Sequence, residues 1–241
     1  MLTRLVTGCS WVDAEALCGN KVSDTTVRLR RDEWEAAGVF DSVAAEAISA
    51  YDKIVGLDLS DVLLDGPLHK SPAGGQGTGK NPTDRAKRGW KWSVLTDRAG
   101  IPVGWTADGA HRHDVALFAP TMAAADQRGL LLDVETVHLD RGYDSAAVRQ
   151  LCSDYGVDLV APRQARTPAQ RRKGPKKVPL GMRWPVERTN SWLTNFGQLR
   201  RNTDRTTAHR LAQFALAVVL LLTAKLIDWR NRWCPGVVPI R

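Results

Sequence analysis

The stretch VETVHLDRGYDSAAVRQLCSDYGVDLV (134–160) decides the fold. Its apolar run stops abruptly at Asp140, Arg141 and Gly142, and Asp and Gly are ordinary residues for a chain leaving a sheet. SAAVRQLCSDYG then carries helical spacing, with Asp144 before it as a candidate cap, and VDLVAPR returns to a strand pattern. Strand, helix and strand in this order belong to an α/β sheet with helices against it. The stretch also poses a chemical question, because a buried segment delivers a carboxylate, Asp140, to its end. Either the acid belongs to the turn, or it is a metal ligand that needs partner carboxylates elsewhere.

Working upstream, KIVGLDLSDVLLDG holds a β-type run closing at Asp65 and Gly66. GWKWSVLTD and IPVGWTADG read as two strands joined by DRAG, and HDVALFAPTMAAADQRG as a helix with Asp114 at its start and Gly129 at its end. Asp97, in DRAG, reads as structural. Asp114 divides between capping the helix and an outer role at a site. HKSPAGGQGTGKNPTD reads as a mobile Gly- and Pro-rich loop. Downstream, RWPVERTNSWLTNFGQLRR reads as one helix, and the greasy segment 211–227 as the core of a second. That segment contains Gln213 and Lys225 and is short of a clean membrane span of ~20 residues. The order β-β-β-α-β-α-β-α-α predicts a mixed five-stranded sheet flanked by helices. Residues 1–50 read as a separate helical region and 51–241 as the main domain. WVDAEALCG and SDTTVRLRRDEWEAAG mark two helices there, either a helix-turn-helix or a plain structural appendage.

Composition narrows the class. The chain has 241 residues, 43% of them hydrophobic, which suffices for a real core and excludes a disordered chain. Net charge is +8 and is unevenly spread. RQARTPAQRRKGPKK (163–177) contains no acid, and KNPTDRAKRGWKW (80–92) interleaves cations with two tryptophans. Such mixtures suit phosphate contact and base stacking, although a solvated loop has the same composition. Trp90, Trp92, Trp184 and Trp192 divide between core packing and base contact. Cys9, Cys18, Cys152 and Cys234 lack any metal-ligand spacing and read as reduced thiols of a cytoplasmic protein.

The partners sought for Asp140 are Asp65, at another strand end, and Glu187, early in the helix after the basic run. Ligands collect where the strands of an α/β sheet end. Pro185 suits the first helical position, which puts Glu187 at about the third. Arg183, Glu187, Asn190, Ser191 and Thr194 would then share a polar side, with Val186, Leu193 and Phe196 facing the sheet. Taken singly, each acid also has a structural reading: a turn, a strand end, a favourable charge at a helix start.

Taken together, LLDGPLHK (63–70), residues 77–105, HRHD (111–114), HLDRGYDS (138–145) and RWPVERTNSWLTNFGQLRRNTDR (183–205) resemble the DDE-type insertion-sequence transposases. The likeness is to the short bacterial class with an uninterrupted ribonuclease-H-like core, and it runs from about Leu5 to Trp233. It implies that Asp65, Asp140 and Glu187 are the first, second and third acids of the DDE triad. It departs at two places, where Leu180 stands for the family's usual tyrosine and Thr194 for its usual basic residue. The resemblance implies two Mg²⁺ or Mn²⁺ ions held by the three carboxylates, with water and then a DNA 3′-hydroxyl as nucleophiles. It further implies element terminal inverted repeats and target DNA as partners, a homodimer assembled on DNA, and a nucleoid location in a bacterial cytoplasm. Candidate DNA contacts are Lys80, Arg85, Lys87, Arg88, Lys91, Arg141, Arg183, Arg188, Arg200 and Arg201. Arg141 could instead pair with a local acid. The alternative is a truncated element remnant that binds DNA without cutting it, suggested by the abrupt N-terminus.

Overall fold

The computed structural model describes residues 1–161 and 182–233. The basic run 163–177, Leu180 and Cys234 lie outside the described residues. Four helices open the chain where the sequence marks two: α1 (Leu2–Thr7), α2 (Trp11–Leu17), α3 (Asp24–Ala36) and α4 (Val39–Ile54). Ser10 and Ser23 cap α2 and α3 through their side chains. In α4, Phe40, Ala44, Ile48 and Tyr51 fall on one side and are buried. With Leu5 of α1 they enter the same core as the sheet, and α4 runs three residues past the change of pattern at Tyr51.

The sheet is built from β1 (Asp61–Asp65), β4 (Arg88–Thr96), β5 (Pro102–Gly109), β6 (Thr136–His138) and β7 (Asp158–Val160), with short additions β2 (Leu68–Lys70) and β3 (Gly79–Lys80). β5, β4 and β1 are antiparallel neighbours, and β6 and β7 follow β1 in parallel. This is the expected ribonuclease-H-like arrangement of five strands. β2 holds the register that β1 sets on β4, Asp65 facing Val94 and Leu68 facing Lys91. It is one strand interrupted at Gly66 and Pro67. A Cβ on Gly66 would stand 2.2 Å from the Trp92 carbonyl oxygen, so the interruption requires glycine.

Alternation sorts the strands onto two cores. Leu63, Trp90, Trp92 and Val94 face α4 and the C-terminal helices α7 (Trp184–Thr194), α8 (Gly197–Arg200) and α9 (Thr207–Trp233). Val62, Leu64, Leu95 and Val137 face α5 (Val115–Asp126) and α6 (Ala146–Asp154). Trp90 and Trp92 are fully buried and meet edge to face at 5.3 Å, which assigns both to the core. Removing one such ring from water contributes roughly 4–6 kcal/mol by area. By length and composition α9 could cross a membrane. Here Phe214, Ala215, Val218 and Leu222 of α9 are buried in the first core.

Three local expectations need correction. The helix expected over 183–201 breaks at Phe196, whose backbone is extended. The break lets Gly197 meet α1 so closely that an added Cβ would lie 2.5 Å from Thr7 backbone atoms. Asp114 starts α5 but makes no capping bond, and its carboxylate takes the Lys91 ammonium instead. The loop after β2, expected to be mobile, is pinned by the buried guanidinium of Arg210. That group donates to the carbonyl oxygens of Gly74 (2.9 Å), Gln76 and Asp204 (2.5 Å).

Candidate active site

β1 and β6 run parallel, with Leu63 beside His138. Two residues further along each strand come Asp65 and Asp140, and Asp140 still has extended backbone. Equal advance from a shared register brings both acids to the same end of the sheet on neighbouring strands. The third acid arrives on α7. Arg183 precedes this helix, Trp184 is its first residue, and Pro185 follows, one position later than the sequence suggested. Val186 and Leu193 are buried against the sheet as expected. Asn190, one turn beyond Glu187, reaches Asp65 with its side-chain amide (Nδ2 to Oδ2, 3.1 Å).

All three carboxylates lie in one electrostatic neighbourhood. Burial raises the Asp65 carboxyl above its ordinary value. Asp140 and Glu187 push it further up, against the Gly66 N–H and Arg183. The buried Tyr143 hydroxyl is raised well above its usual range, chiefly by burial and then by Asp114, Asp65 and Asp140. Each acid is nevertheless turned to a local partner. Asp140 Oδ1 accepts the Gly142 N–H at 2.6 Å, Glu187 pairs with Arg183 at 3.4 Å, and Asp65 accepts from Asn190. In this arrangement no three His, Cys, Asp or Glu side chains among the described residues stand close enough to hold a metal ion. The donor set, three hard carboxylates, nevertheless suits Mg²⁺ or Mn²⁺ in chemistry.

Asn190 is the residue that sequence reasoning passed over. The Trp92 indole N–H donates to its Oδ1 at 2.9 Å. An indole can only donate, so the amide oxygen must face Trp92 and the NH₂ must face Asp65. The available signal was an asparagine one turn from Glu187 on the polar side of α7, which by itself names no partner.

The profile of the Transposase DDE domain family matches residues 56–222. The chain belongs to this family. Over 133 residues it is 38% identical to the putative transposase for insertion sequence element IS402 of Burkholderia cepacia, covering 53% of this chain and 60% of the relative. The chain therefore spans less than two thirds of that relative's length. Among solved structures it is similar to the catalytic core domain of BIV integrase (14% identity, 71% of this chain and 99% of that one, TM-score 0.37). It is also similar to the catalytic domain of Mos1 mariner transposase (11% identity, 76% and 89%, TM-score 0.32).

The candidate DNA contacts of the DDE domain fall into distinct settings. Lys80, Arg85, Lys87 and Arg88 are exposed on the loop and strands leading into β4. Arg141 is exposed beside Asp140, and Arg200 and Arg201 are exposed at the end of α8. Arg183 pairs with Glu187. Two residues differ in kind. Lys91 is 4% exposed, bound to Asp114 and to the Arg112 carbonyl, so it faces the protein rather than DNA. Arg188 lies between the rings of Trp184 (4.2 Å) and Trp192 (4.7 Å) and donates to the Ala99 carbonyl, which makes it a brace for α7.

Proposed function

We propose that this DDE domain cuts DNA at the ends of an insertion-sequence element and joins the freed 3′-hydroxyls to target DNA. The observation that supports the reading is the parallel register of β1 and β6, which carries Asp65 and Asp140 to the same end of neighbouring strands, with the charges of Asp140 and Glu187 both acting on Asp65. On this reading the three carboxylates hold two Mg²⁺ or Mn²⁺ ions, which supply an activated oxygen nucleophile and charge stabilisation at the leaving oxygen. Asp65, deepest of the three, anchors the set. Asn190 orients it, and Arg183 shares its charge between Asp65 and Glu187. A held 3′-hydroxyl needs no protein nucleophile, so Ser and Tyr side chains take no covalent part.

Lys80 and Arg88 face each other across β3 and β4, while Asp65 faces Val94 six positions along β4. At about 3.4 Å per residue this separates the exposed cations from the acids by roughly 20 Å, a span that suits a duplex lying along the strand. Element ends and target DNA are the proposed partners, a homodimer the proposed assembly on two ends, and the bacterial nucleoid the proposed location.

The test is cleavage of a labelled inverted-repeat end with Mg²⁺ or Mn²⁺. Wild type nicks the end, and Asp140→Ala and Glu187→Ala abolish nicking while DNA binding survives. Undiminished cleavage by either variant overturns the assignment. Binding without cleavage by wild type favours the inactive remnant.

A further inference from the structure

We propose that the cavity between the N-terminal helices and the start of α9 is a phosphate site that takes the sugar–phosphate backbone of DNA. The inference rests on the reading of DNA as partner and locates a contact surface away from the three acids. The cavity is about 560 Å³ and is lined by five arginines and a single acid, Asp204. Two of the arginines are built into its wall: Arg4 is 2% exposed and Arg31 is 7% exposed. Both guanidiniums rest on the Trp11 ring, at 4.4 and 5.1 Å, which holds them rigid.

The acids nearby do not cancel this charge. Asp204 is enclosed by Arg4 (3.2 Å), Arg31 (3.4 Å) and the Gln198 amide (3.0 Å). Asp32 holds Arg31 and His209, and Asp24 holds Arg28. Asp13 accepts from Ser10 and Glu15 from the Asp24 N–H, so the charge left without an acid is that of the rim arginines. Arg201 and Arg205, both exposed at the rim, have no acid partner among the described residues. Thr206, just before the 27-residue α9, also lines the cavity, and the first turn of α9 has no acid. A helix start of that length adds a positive field.

The position selects DNA over a small phosphate compound. Arg201 bridges to Lys70, the last residue of β2. Lys70 is five residues beyond Asp65, roughly 17 Å along the interrupted strand. The cavity therefore opens beside the strand that continues from Asp65, within reach of a nucleic-acid backbone that passes the acids. The N-terminal helices thereby gain a function, since Arg4, Arg28 and Arg31 come from α1 and α3.

Binding of an unrelated-sequence duplex, read by fluorescence anisotropy over a range of salt concentrations, tests the site with exposed rim residues whose loss leaves the core intact. Each of Arg28→Ala and Arg205→Ala should weaken binding several-fold and lower the slope of log affinity against log salt by about 0.9. Arg230→Ala, at the far end of α9, should leave both unchanged. Wild-type slope and affinity in both rim variants overturn the proposal. Saturable binding of inorganic phosphate that both variants lose, with duplex binding intact, also overturns it and assigns the cavity to small anions. Duplex binding that is absent in wild type removes DNA as a partner and the parent reading with it. A failed slope test beside normal Glu187-dependent cleavage removes only this cavity.

Discussion

Replacing Asn190 by alanine tests the link between the core and the acids. The change strips the Trp92 indole N–H of its acceptor and the Asp65 carboxylate of a donor. An orphaned buried donor costs about 1–3 kcal/mol, and a hydrogen bond to a charged group is worth about 1.5–3 kcal/mol. Asn190→Ala should therefore lower unfolding free energy by about 2.5–6 kcal/mol. In a Trp92→Phe background there is no indole N–H to orphan, and only the carboxylate part remains. The two changes should thus be non-additive by about 1–3 kcal/mol. Trp92 also stacks on His69 at 3.8 Å and meets Phe214 at 5.5 Å, but the packing lost there is common to both arms of the cycle and cancels. Urea denaturation of wild type, both single variants and the double variant gives the coupling directly. Additivity within about 0.5 kcal/mol would refute the chain of hydrogen bonds.

Two further outcomes are expected. Burial raises the Asp97 carboxyl from 3.8 to about 6, although it accepts the Ile101 and Asp58 N–H groups. The native state therefore holds this proton more tightly than the unfolded chain does, and the Asp97 contribution to stability falls as pH rises from about 4 to about 6. The loss is on the order of 3 kcal/mol. Asp97→Asn should flatten that part of the pH–stability curve, and an unchanged slope between variant and wild type would contradict the account. Gly66→Ala puts a methyl 2.2 Å from the Trp92 carbonyl. It should cost more than about 2 kcal/mol by thermal melting and displace Asp65, so a variant with wild-type melting temperature and cleavage would show that the strand interruption tolerates a side chain.

Much of this was legible in the sequence because it is written locally. The strand–helix–strand rhythm of 134–160, the acids ending VLLD and VHLD, and the buried side of α7 all follow from periodicity and turn chemistry. What escaped depends on distant partners. Nothing in the local spacing of Lys91 shows that Asp114 waits 23 positions on, so a buried lysine and its half-exposed acid read as an exposed DNA contact and a helix cap. The Gly- and Pro-rich loop looked mobile because Arg210, which holds it, is more than 130 residues away. The break at Phe196 is flanked by Asn195 and Gly197, a stop signal that the helical pattern on either side overrode in the reading, and the contact between Gly197 and α1 fixes it. Asn190 was placed on the correct side of its helix, but its role required knowing that Trp92 points at it.

The parallel register of β1 and β6 has a consequence for how such chains can change. Asp65 lies two residues past Leu63, and Asp140 two residues past His138. A sheet presents alternate residues to opposite faces. An insertion or deletion of one residue in either short segment would therefore send one carboxylate through to the α5 side, where Leu64 and Leu95 are packed. A change of two residues would keep the face but part the acids by one pleat, roughly 7 Å. The few residues between core and acid thus form a length gauge, and drift in this chain is confined to substitutions there and to gains or losses in the loops.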